Sequence, residues 1–222
     1  MSFPDFNASD AHIQWQRFCD LSWYHDDLGV WLDISRMHVN ATDLQQLQPR
    51  MDKAFAAMQE LEAGAIANPD EQRQVGHYWL RTPELAPSSE LQQHISREID
   101  LIAAFGRDVI NGTIKAPNGE AFTDVLWIGI GGSGLGPALM IKALQNPGEG
   151  LPFHFFDNVD PNGMSNVLAG LEGRLDRTLV VTVSKSGGTP EPHLGMEQAR
   201  HRLEAAGGQW AGQAVAVTML DS

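Results

Sequence analysis

The residues best suited to chemistry stand in one short loop near the end of the printed sequence. Ser184, Ser186 and Thr189 place three hydroxyls within six residues, and Lys185 adds a positive charge among them. Hydroxyls donate hydrogen bonds to oxyanions, and the glycines in the loop expose backbone N–H groups. Pro190 is suited to the first position of a helix, so Thr189 is predicted at its N-cap. This pattern favours an oxyanion cradle at a helix N-terminus.

A second loop, residues 129–137, is rich in glycine and is predicted to join a strand to a helix. Gly129, Gly131 and Gly134 match the G-x-G-x-x-G pattern of dinucleotide-binding turns, and Asp157 follows at a distance suited to a ribose. The pattern alone fits a dinucleotide nearly as well as a phosphosugar. No lysine follows the glycines, which excludes a nucleoside-triphosphate P-loop.

Each loop also has a plainer interpretation. The first would be a Ser/Gly-rich turn that Thr189 caps, and the second a tight turn that lets a helix lie close to a sheet. Two such loops in one parallel sheet favour a binding site over two unrelated turns.

Short apolar runs alternate with helix-length segments in the second half of the chain. This alternation predicts an α/β fold in which helices flank a parallel sheet, as a three-layer sandwich. Ligands of such sheets bind at the carboxyl ends of the strands. The predicted strands are 125–130, 153–156, 179–183 and 214–220.

The first half of the chain is predicted to be mainly helical. Apolar residues at helical spacing predict one helix over 51–61, with Pro49 just ahead of it. A second helix is predicted over 89–110, begun by a serine at 88 or 89 and ended by Asn111-Gly112. Trp15, Trp23 and Trp31 recur at eight-residue steps and are predicted in a core or an interface.

The predicted organisation is a helical N-terminal region, 1–118, followed by the α/β domain, 119–222. The chain stops directly after the fourth predicted strand, so we expect this domain to be truncated at its C-terminus.

Composition limits the classes of partner. The chain has 222 residues, of which 42% are hydrophobic, enough for a real core. A net charge of −13 argues against nucleic acid as a partner. Cys19 is the only cysteine, the first residues show neither a basic nor an apolar region of the kind found in signal peptides, and no apolar run approaches about 20 residues. We therefore expect a cytoplasmic protein with no membrane partner and no metal site.

The two loops resemble those of a known family. Ser184-x-Ser186-Gly187-x-Thr189 resembles the phosphate-binding signature of sugar isomerase (SIS) domains, and the run at 128–137 resembles that of the phosphoglucose isomerase family. Residues 68–81 are similar to a helical element that precedes the sheet in that family, and 156–160 resemble the end of its second strand.

The resemblance implies an aldose–ketose isomerase of glycolysis and gluconeogenesis. It would interconvert glucose 6-phosphate and fructose 6-phosphate through an enediol, without metal or nucleotide cofactor, as a homodimer. The positions that match the family's substrate contacts are Ser184, Lys185, Ser186 and Thr189 around the phosphate, and Gly132 and Ser133 beside the sugar.

The same resemblance places the family's proton-transfer glutamate and ring-opening histidine downstream of Ser222. The chain is therefore expected to supply the phosphate-binding half and to be inactive alone, with no catalytic residue of its own. Two alternatives stay open at this point. One is a non-catalytic phosphosugar-binding SIS protein, and the other is an NAD-dependent oxidoreductase built on the glycine loop.

Overall fold

The computed structural model describes residues 3–146 and 148–219 of the chain. They divide into two units, Met1–Arg97 and Glu98–Ser222. The boundary between these units lies about 20 residues before the one predicted after residue 118. Residue 118 lies shortly before β3, the first strand of the large sheet. The predicted domain boundary stays a prediction. The elements of the first unit are α1 (Ala11–Leu21), β1 (Ser22–His25), β2 (Val30–Asp33), α2 (Ala41–Glu62) and the start of α3 (Ser89–Ile110).

The helix predicted over 51–61 exists but begins earlier, at Ala41, so that Pro49 lies inside it. The prediction missed a stronger start signal. The Asn40 side chain accepts from the Asp43 N–H at 3.0 Å, and the Asp43 carboxylate accepts from the Asn40 N–H at 2.8 Å. Such a reciprocal capping box satisfies two N–H groups that otherwise lack partners, and it marks the start of the helix at Ala41.

The second predicted helix is confirmed at both ends. Ser88 accepts a hydrogen bond from the Leu91 N–H at 3.2 Å, and the helix stops at Ile110 before Gly112, whose φ is +74°. A glycine adopts this left-handed conformation without a steric penalty.

An antiparallel hairpin in the first unit was not predicted. β1 pairs with β2, and Gly29 takes a φ of +61° in the turn between them. The hairpin exposes its aromatic residues: Trp23 is 54% exposed and Trp31 is 66% exposed. Trp15 of α1 is also exposed, at 63%. The expectation that these tryptophans lie in a core was therefore wrong. A two-stranded ribbon has no layer of its own to cover either face.

Residues 68–81 form turns rather than the expected helix. The Arg73 N–H donates to the Asn68 carbonyl at 2.9 Å, and the Asn68 N–H donates back to the Arg73 carbonyl at 3.0 Å. Pro69 and the positive φ of Gln72, +52°, close this tight turn and prevent helical hydrogen bonding.

The second unit is an α/β layer structure, as predicted. Its sheet is parallel and four-stranded, and the order is β4-β3-β5-β6. The elements after α3 are β3 (Asp124–Ile128), α4 (Gly132–Leu144), β4 (Phe153–Phe156), α5 (Pro161–Gly170), a 3-10 helix (Leu175–Arg177), β5 (Thr178–Val183), α6 (Pro190–Ala205), α7 (Trp210–Gln213) and β6 (Ala214–Val217).

All four predicted strands are present. Their observed ends agree with the predicted ends to within two residues, except at the end of the last strand. The first was predicted to reach residue 130 and ends at Ile128, because the glycine turn begins there. The last was predicted to reach residue 220 and ends at Val217, and residue 220 itself lies outside the described residues.

The two faces of the sheet bury different helices. Leu126 and Ile128 are fully buried on one face, against α5 and α6. Val125 and Val181 point to the other face, where they pack with Val109 of α3. This alternation follows from the two-residue period of a strand, and it accounts for the nearly continuous apolar sequence of β3.

The amino edge of the sheet carries a buried ionic cluster. The Asp124 carboxylate accepts from His154 at 2.8 Å, from the Thr123 hydroxyl at 2.8 Å and from Arg174 at 3.0 Å. Burial raises the pKa of Asp124, but these hydrogen bonds outweigh it and leave the pKa below its ordinary value of 3.8. The cluster joins β3 and β4 to the turn that precedes β5.

Candidate functional site

The two loops singled out by the sequence follow neighbouring strands. β3 and β5 lie side by side with Ile128 opposite Thr182, so the glycine loop and the hydroxyl-rich loop emerge at the same carboxyl edge of the sheet. This adjacency was not determined by the sequence, because β4 lies between the two strands along the chain but outside them in the sheet.

The loops also flank the place where the strand order reverses. From β3 the chain crosses to β4 on one side, and from β5 it crosses to β6 on the other. The helices diverge accordingly: α6 packs on the face of Leu126, while Ile141 of α4 lies with Trp127 on the opposite face. In open α/β sheets, ligands bind in the crevice that this divergence opens.

Glycines give the glycine loop, residues 129–137, its tight form. Gly131 is the N-cap of α4 with φ +55° and ψ −127°, a combination that side chains disfavour. A Cβ on Gly129 would lie 2.8 Å from the carbonyl oxygen of Ser133, and one on Gly134 would collide with the carbonyl oxygen of Gly129. The plainer interpretation therefore holds for Gly129 and Gly134, since both allow close packing of the turn.

Gly132 and Ser133 are placed differently. Nothing lies within 4 Å of a Cβ built on Gly132, which is exposed as the first residue of α4. The N–H of a first helical residue has no acceptor in its own helix. Within the described chain the Ser133 hydroxyl has no hydrogen-bond partner, while its N–H donates to Ile130 at 3.2 Å. These two residues are free to offer donors at the start of the helix.

The hydroxyl-rich loop is held at its start by β6. The Ser184 N–H donates to the Val217 carbonyl at 3.1 Å, and the Met219 N–H donates to the Lys185 carbonyl at 3.2 Å. Gly187 then turns the chain with φ +69°. The loop therefore continues the β5–β6 ladder for two residues before it leaves the sheet edge.

The hydroxyls of this loop gather at the N-terminus of α6. The Ser184 and Thr189 hydroxyl oxygens lie 3.4 Å apart, and the Ser186 hydroxyl accepts from the Gly188 N–H at 3.3 Å. Thr189 is the N-cap and Pro190 the first helical residue, as predicted. The Thr189 side chain, however, accepts no capping hydrogen bond, so the interpretation of a simply capped turn lacks its main contact.

Charge at the loop comes from Lys185, which is exposed, and from the N-terminus of α6. The positive end of a helix dipole favours an anion by about 0.3–1 kcal/mol at exposed sites. The loop thus supplies a local positive field in a chain whose net charge is −13.

One contact of the site was missed by the sequence analysis. The indole N–H of Trp127, on β3, donates to the carbonyl of Ser133 at 2.7 Å. Trp127 lies six residues before Ser133 and had been included only in the apolar run of the strand. The sequence did contain a signal for this contact: Pro137 has no N–H to donate to the carbonyl of Ser133, four residues before it.

Within the ranges 3–146 and 148–219, no group of three or more histidine, cysteine, aspartate or glutamate side chains is arranged to hold a metal ion. In those same ranges no helix combines the length and the apolar character needed to cross a bilayer.

The fold and the site define an α/β protein whose parallel sheet presents a glycine loop and a hydroxyl-rich loop on either side of its switch point. The family model described as phosphoglucose isomerase matches residues 33–221. The chain belongs to the phosphoglucose isomerase family.

Relatives and solved structures agree with this assignment. The chain is 99% identical over 222 residues to a glucose-6-phosphate isomerase of Synechococcus sp. (strain CC9605), all of the chain and 42% of that protein. It is 52% identical over 222 residues to one of Prochlorococcus marinus (strain MIT 9211), again over 42% of the relative. The chain thus spans well under half the length of these relatives.

A crystal structure of a glucose-6-phosphate isomerase from Chlamydia trachomatis superposes with a TM-score of 0.78 at 29% identity, over 99% of this chain and 43% of that one. This likeness confirms the α/β fold with its helical N-terminal region.

Proposed function

We propose that the chain is the phosphosugar-binding part of a glucose-6-phosphate isomerase. The complete enzyme would interconvert glucose 6-phosphate and fructose 6-phosphate through an enediol, in glycolysis and gluconeogenesis. The observation that carries the proposal is the placement of the two loops on adjacent strands at the switch point. Family membership supports the reaction class.

The hydroxyl-rich loop is proposed to bind the phosphate. The 3.4 Å separation of the Ser184 and Thr189 hydroxyls is short enough for both to donate to one phosphate group, and Ser186 lies in the same turn. Lys185 adds charge, and the N-terminus of α6 adds its dipole. A dianionic group would thereby meet hydroxyl donors, a lysine and a helix N-terminus in one loop.

The glycine loop is proposed to bind the sugar. Gly132 offers a backbone N–H, and Ser133 offers a hydroxyl that has no hydrogen-bond partner among the described residues. Both groups are neutral. Neutral donors suit sugar hydroxyls, whereas the cationic loop suits the phosphate. The division of labour between the loops follows from their charge.

The proton-transfer groups are proposed to come from the part of the family's length beyond this chain. The chain spans 42% of the Synechococcus relative. The resemblance to the family places the proton-transfer glutamate downstream of Ser222. We accordingly propose that residues 1–222 bind a phosphosugar without isomerising it. The homodimer and the cytoplasmic location inferred from the sequence stay predictions.

The test uses the full-length Synechococcus relative that is 99% identical over this chain. Ser184→Ala combined with Thr189→Ala should raise the KM for fructose 6-phosphate by about a hundred-fold or more, because each hydroxyl hydrogen bond lost to a charged acceptor is worth roughly 1.5–3 kcal/mol and two are lost. Inhibition by inorganic phosphate should weaken in parallel. A matched control is Ser165→Ala combined with Thr113→Ala, since both residues are exposed and lie on neither loop.

The proposal fails if the loop variant keeps the wild-type KM and phosphate inhibition. It also fails if the protein binds NAD saturably and fructose 6-phosphate not at all. Binding of fructose 6-phosphate without turnover by the full-length protein would support the alternative of a non-catalytic phosphosugar-binding protein.

A further inference from the structure

The carbonyl oxygen of Ser133 lacks its ordinary helical donor. In an α-helix this carbonyl would accept from the N–H four residues later, but that residue is Pro137, which has none. The proline ring also crowds the carbonyl of the residue four positions before it. Ser133 therefore presents a carbonyl that must find a donor elsewhere or lose hydrogen-bond energy.

Trp127 supplies that donor. Its indole N–H lies 2.7 Å from the Ser133 carbonyl oxygen, a short and partly buried hydrogen bond. An indole N–H can only donate, so the pair matches one unused donor with one unused acceptor. The ring is held in place by Phe153 of β4, with 6.4 Å between the ring centroids.

This bond fixes the first turn of α4 against β3. The same carbonyl lies 2.8 Å from the place that a Cβ on Gly129 would occupy, so it is confined between the strand end and the indole. The Ser133 N–H is tied to Ile130 at 3.2 Å. The N–H and the carbonyl of Ser133 are thus both hydrogen-bonded. The neighbouring Gly132 N–H and the Ser133 hydroxyl are thereby held in one position at the sheet edge.

We propose that Trp127 is a positioning residue for the glycine loop: by satisfying the carbonyl that Pro137 leaves without a donor, it sets where Gly132 and Ser133 meet the sugar. The inference rests on the proposed isomerase function. Trp127 itself lies on the face of the sheet that bears Val181, beside α3, and acts only through the Ser133 carbonyl.

The competing interpretation is that Trp127 is simply an apolar residue of that face. A pair of substitutions separates the two. Trp127→Phe removes the indole N–H and some volume. Pro137→Ala restores a backbone N–H four residues after Ser133, so the carbonyl regains a donor of its own. The volume lost in Trp127→Phe is the same with either residue at 137, so the difference between the two backgrounds isolates the hydrogen bond.

Both changes are made in the full-length Synechococcus relative, and kcat/KM for fructose 6-phosphate is measured. Trp127→Phe should lower kcat/KM by about ten-fold in the wild-type background, and by no more than about two-fold when Pro137→Ala is present. Trp210→Phe is the matched control, because Trp210 is another half-buried tryptophan of the same unit and its indole donates no described hydrogen bond. It should leave kcat/KM within about two-fold of wild type.

Hydrogen exchange gives a readout that does not depend on activity. Trp127→Phe should speed exchange of the Ser133, Gly134 and Leu135 amides, and Pro137→Ala should restore their protection. The positioning role would be overturned if Trp127→Phe lowered kcat/KM equally with Pro137 and with Pro137→Ala. It would also be overturned if Trp127→Phe left the exchange rates of these amides unchanged. If the wild-type protein does not isomerise, the proposed function fails, and the exchange experiment still decides the role of Trp127.

Discussion

The guanidinium of Arg174 contacts the carboxylate of Asp124 through two nitrogens, Nε at 3.0 Å and Nη2 at 3.3 Å. The two residues are separated by 50 positions, and the Asp124 side chain is only 2% exposed. His154 approaches the same carboxylate from β4 at 2.8 Å. This arrangement ties three segments together at the amino edge of the sheet, opposite the candidate site.

We expect Asp124→Asn to lower the free energy of unfolding by about 2–3 kcal/mol, because it leaves an amide facing the donors of Arg174 and His154. Chemical denaturation of the full-length protein measures the change. Asp176→Asn is the control, since Asp176 accepts an exposed hydrogen bond from Asn118 at 2.9 Å and should change stability by less than about 0.5 kcal/mol. Equal effects of the two substitutions would contradict this account.

The Asp124 carboxylate should also make the stability of the protein depend on pH in the acid range. The pKa of Asp124 in the folded state lies below its ordinary value of 3.8. The unfolded chain therefore takes up the proton first, so the stabilisation is present above that ordinary value and is lost as pH falls through the folded pKa. Melting temperatures should fall more steeply with acid in the wild type than in Asp124→Asn. Parallel slopes would show that the carboxylate is not responsible.

Arg17 is expected to stabilise the first unit. Its buried guanidinium, 2% exposed, donates to the carbonyls of Ser35 at 2.8 Å, Pro4 at 2.9 Å, Met37 at 2.9 Å and Val39 at 2.8 Å. A lysine has three donors on one atom and cannot match this planar set. Arg17→Lys should cost about 2–4 kcal/mol of local stability.

Hydrogen exchange measures this effect locally. Amides at 35–39 should lose protection in Arg17→Lys while those of β3 and β5 keep theirs. Arg36→Lys serves as the control because Arg36 is exposed. Unchanged protection at 35–39 would mean that the four carbonyl contacts contribute little.

The glycines of α4 should differ sharply in their tolerance of a methyl group. Gly134→Ala places a Cβ against the carbonyl oxygen of Gly129, so we expect a loss of at least about 2 kcal/mol of stability and weakened substrate binding. Gly136→Ala meets nothing within 4 Å and should stabilise the helix by up to about 1 kcal/mol. Thermal melting of the two variants tests the contrast, and the reverse order would refute the turn geometry.

Local signals were sufficient for most of the elements. The four strands, the serine cap of α3 and the stop before Gly112 depend on side chains close in sequence, and all are confirmed. The start of α2 was wrong because the capping box of Asn40 and Asp43 was overlooked, although it too is local. Loop composition singled out the two loops, resemblance to the family selected the six candidate binding residues within them, and the roles of those residues stay proposals.

By itself the sequence determined the four strands of the parallel sheet, both ends of α3, and which two loops carry hydroxyls, glycines and positive charge, because turn chemistry and apolar period act over a few residues. It did not predict the β1–β2 hairpin or the turns at 68–81. Only the tertiary structure decided that β3 lies beside β5, and thereby that the two loops emerge at the same carboxyl edge of the sheet. It alone brought Arg174 to Asp124 and turned the Trp127 indole onto the Ser133 carbonyl. Strand order depends on which distant apolar faces bury each other, and no local pattern in the chain specifies that choice.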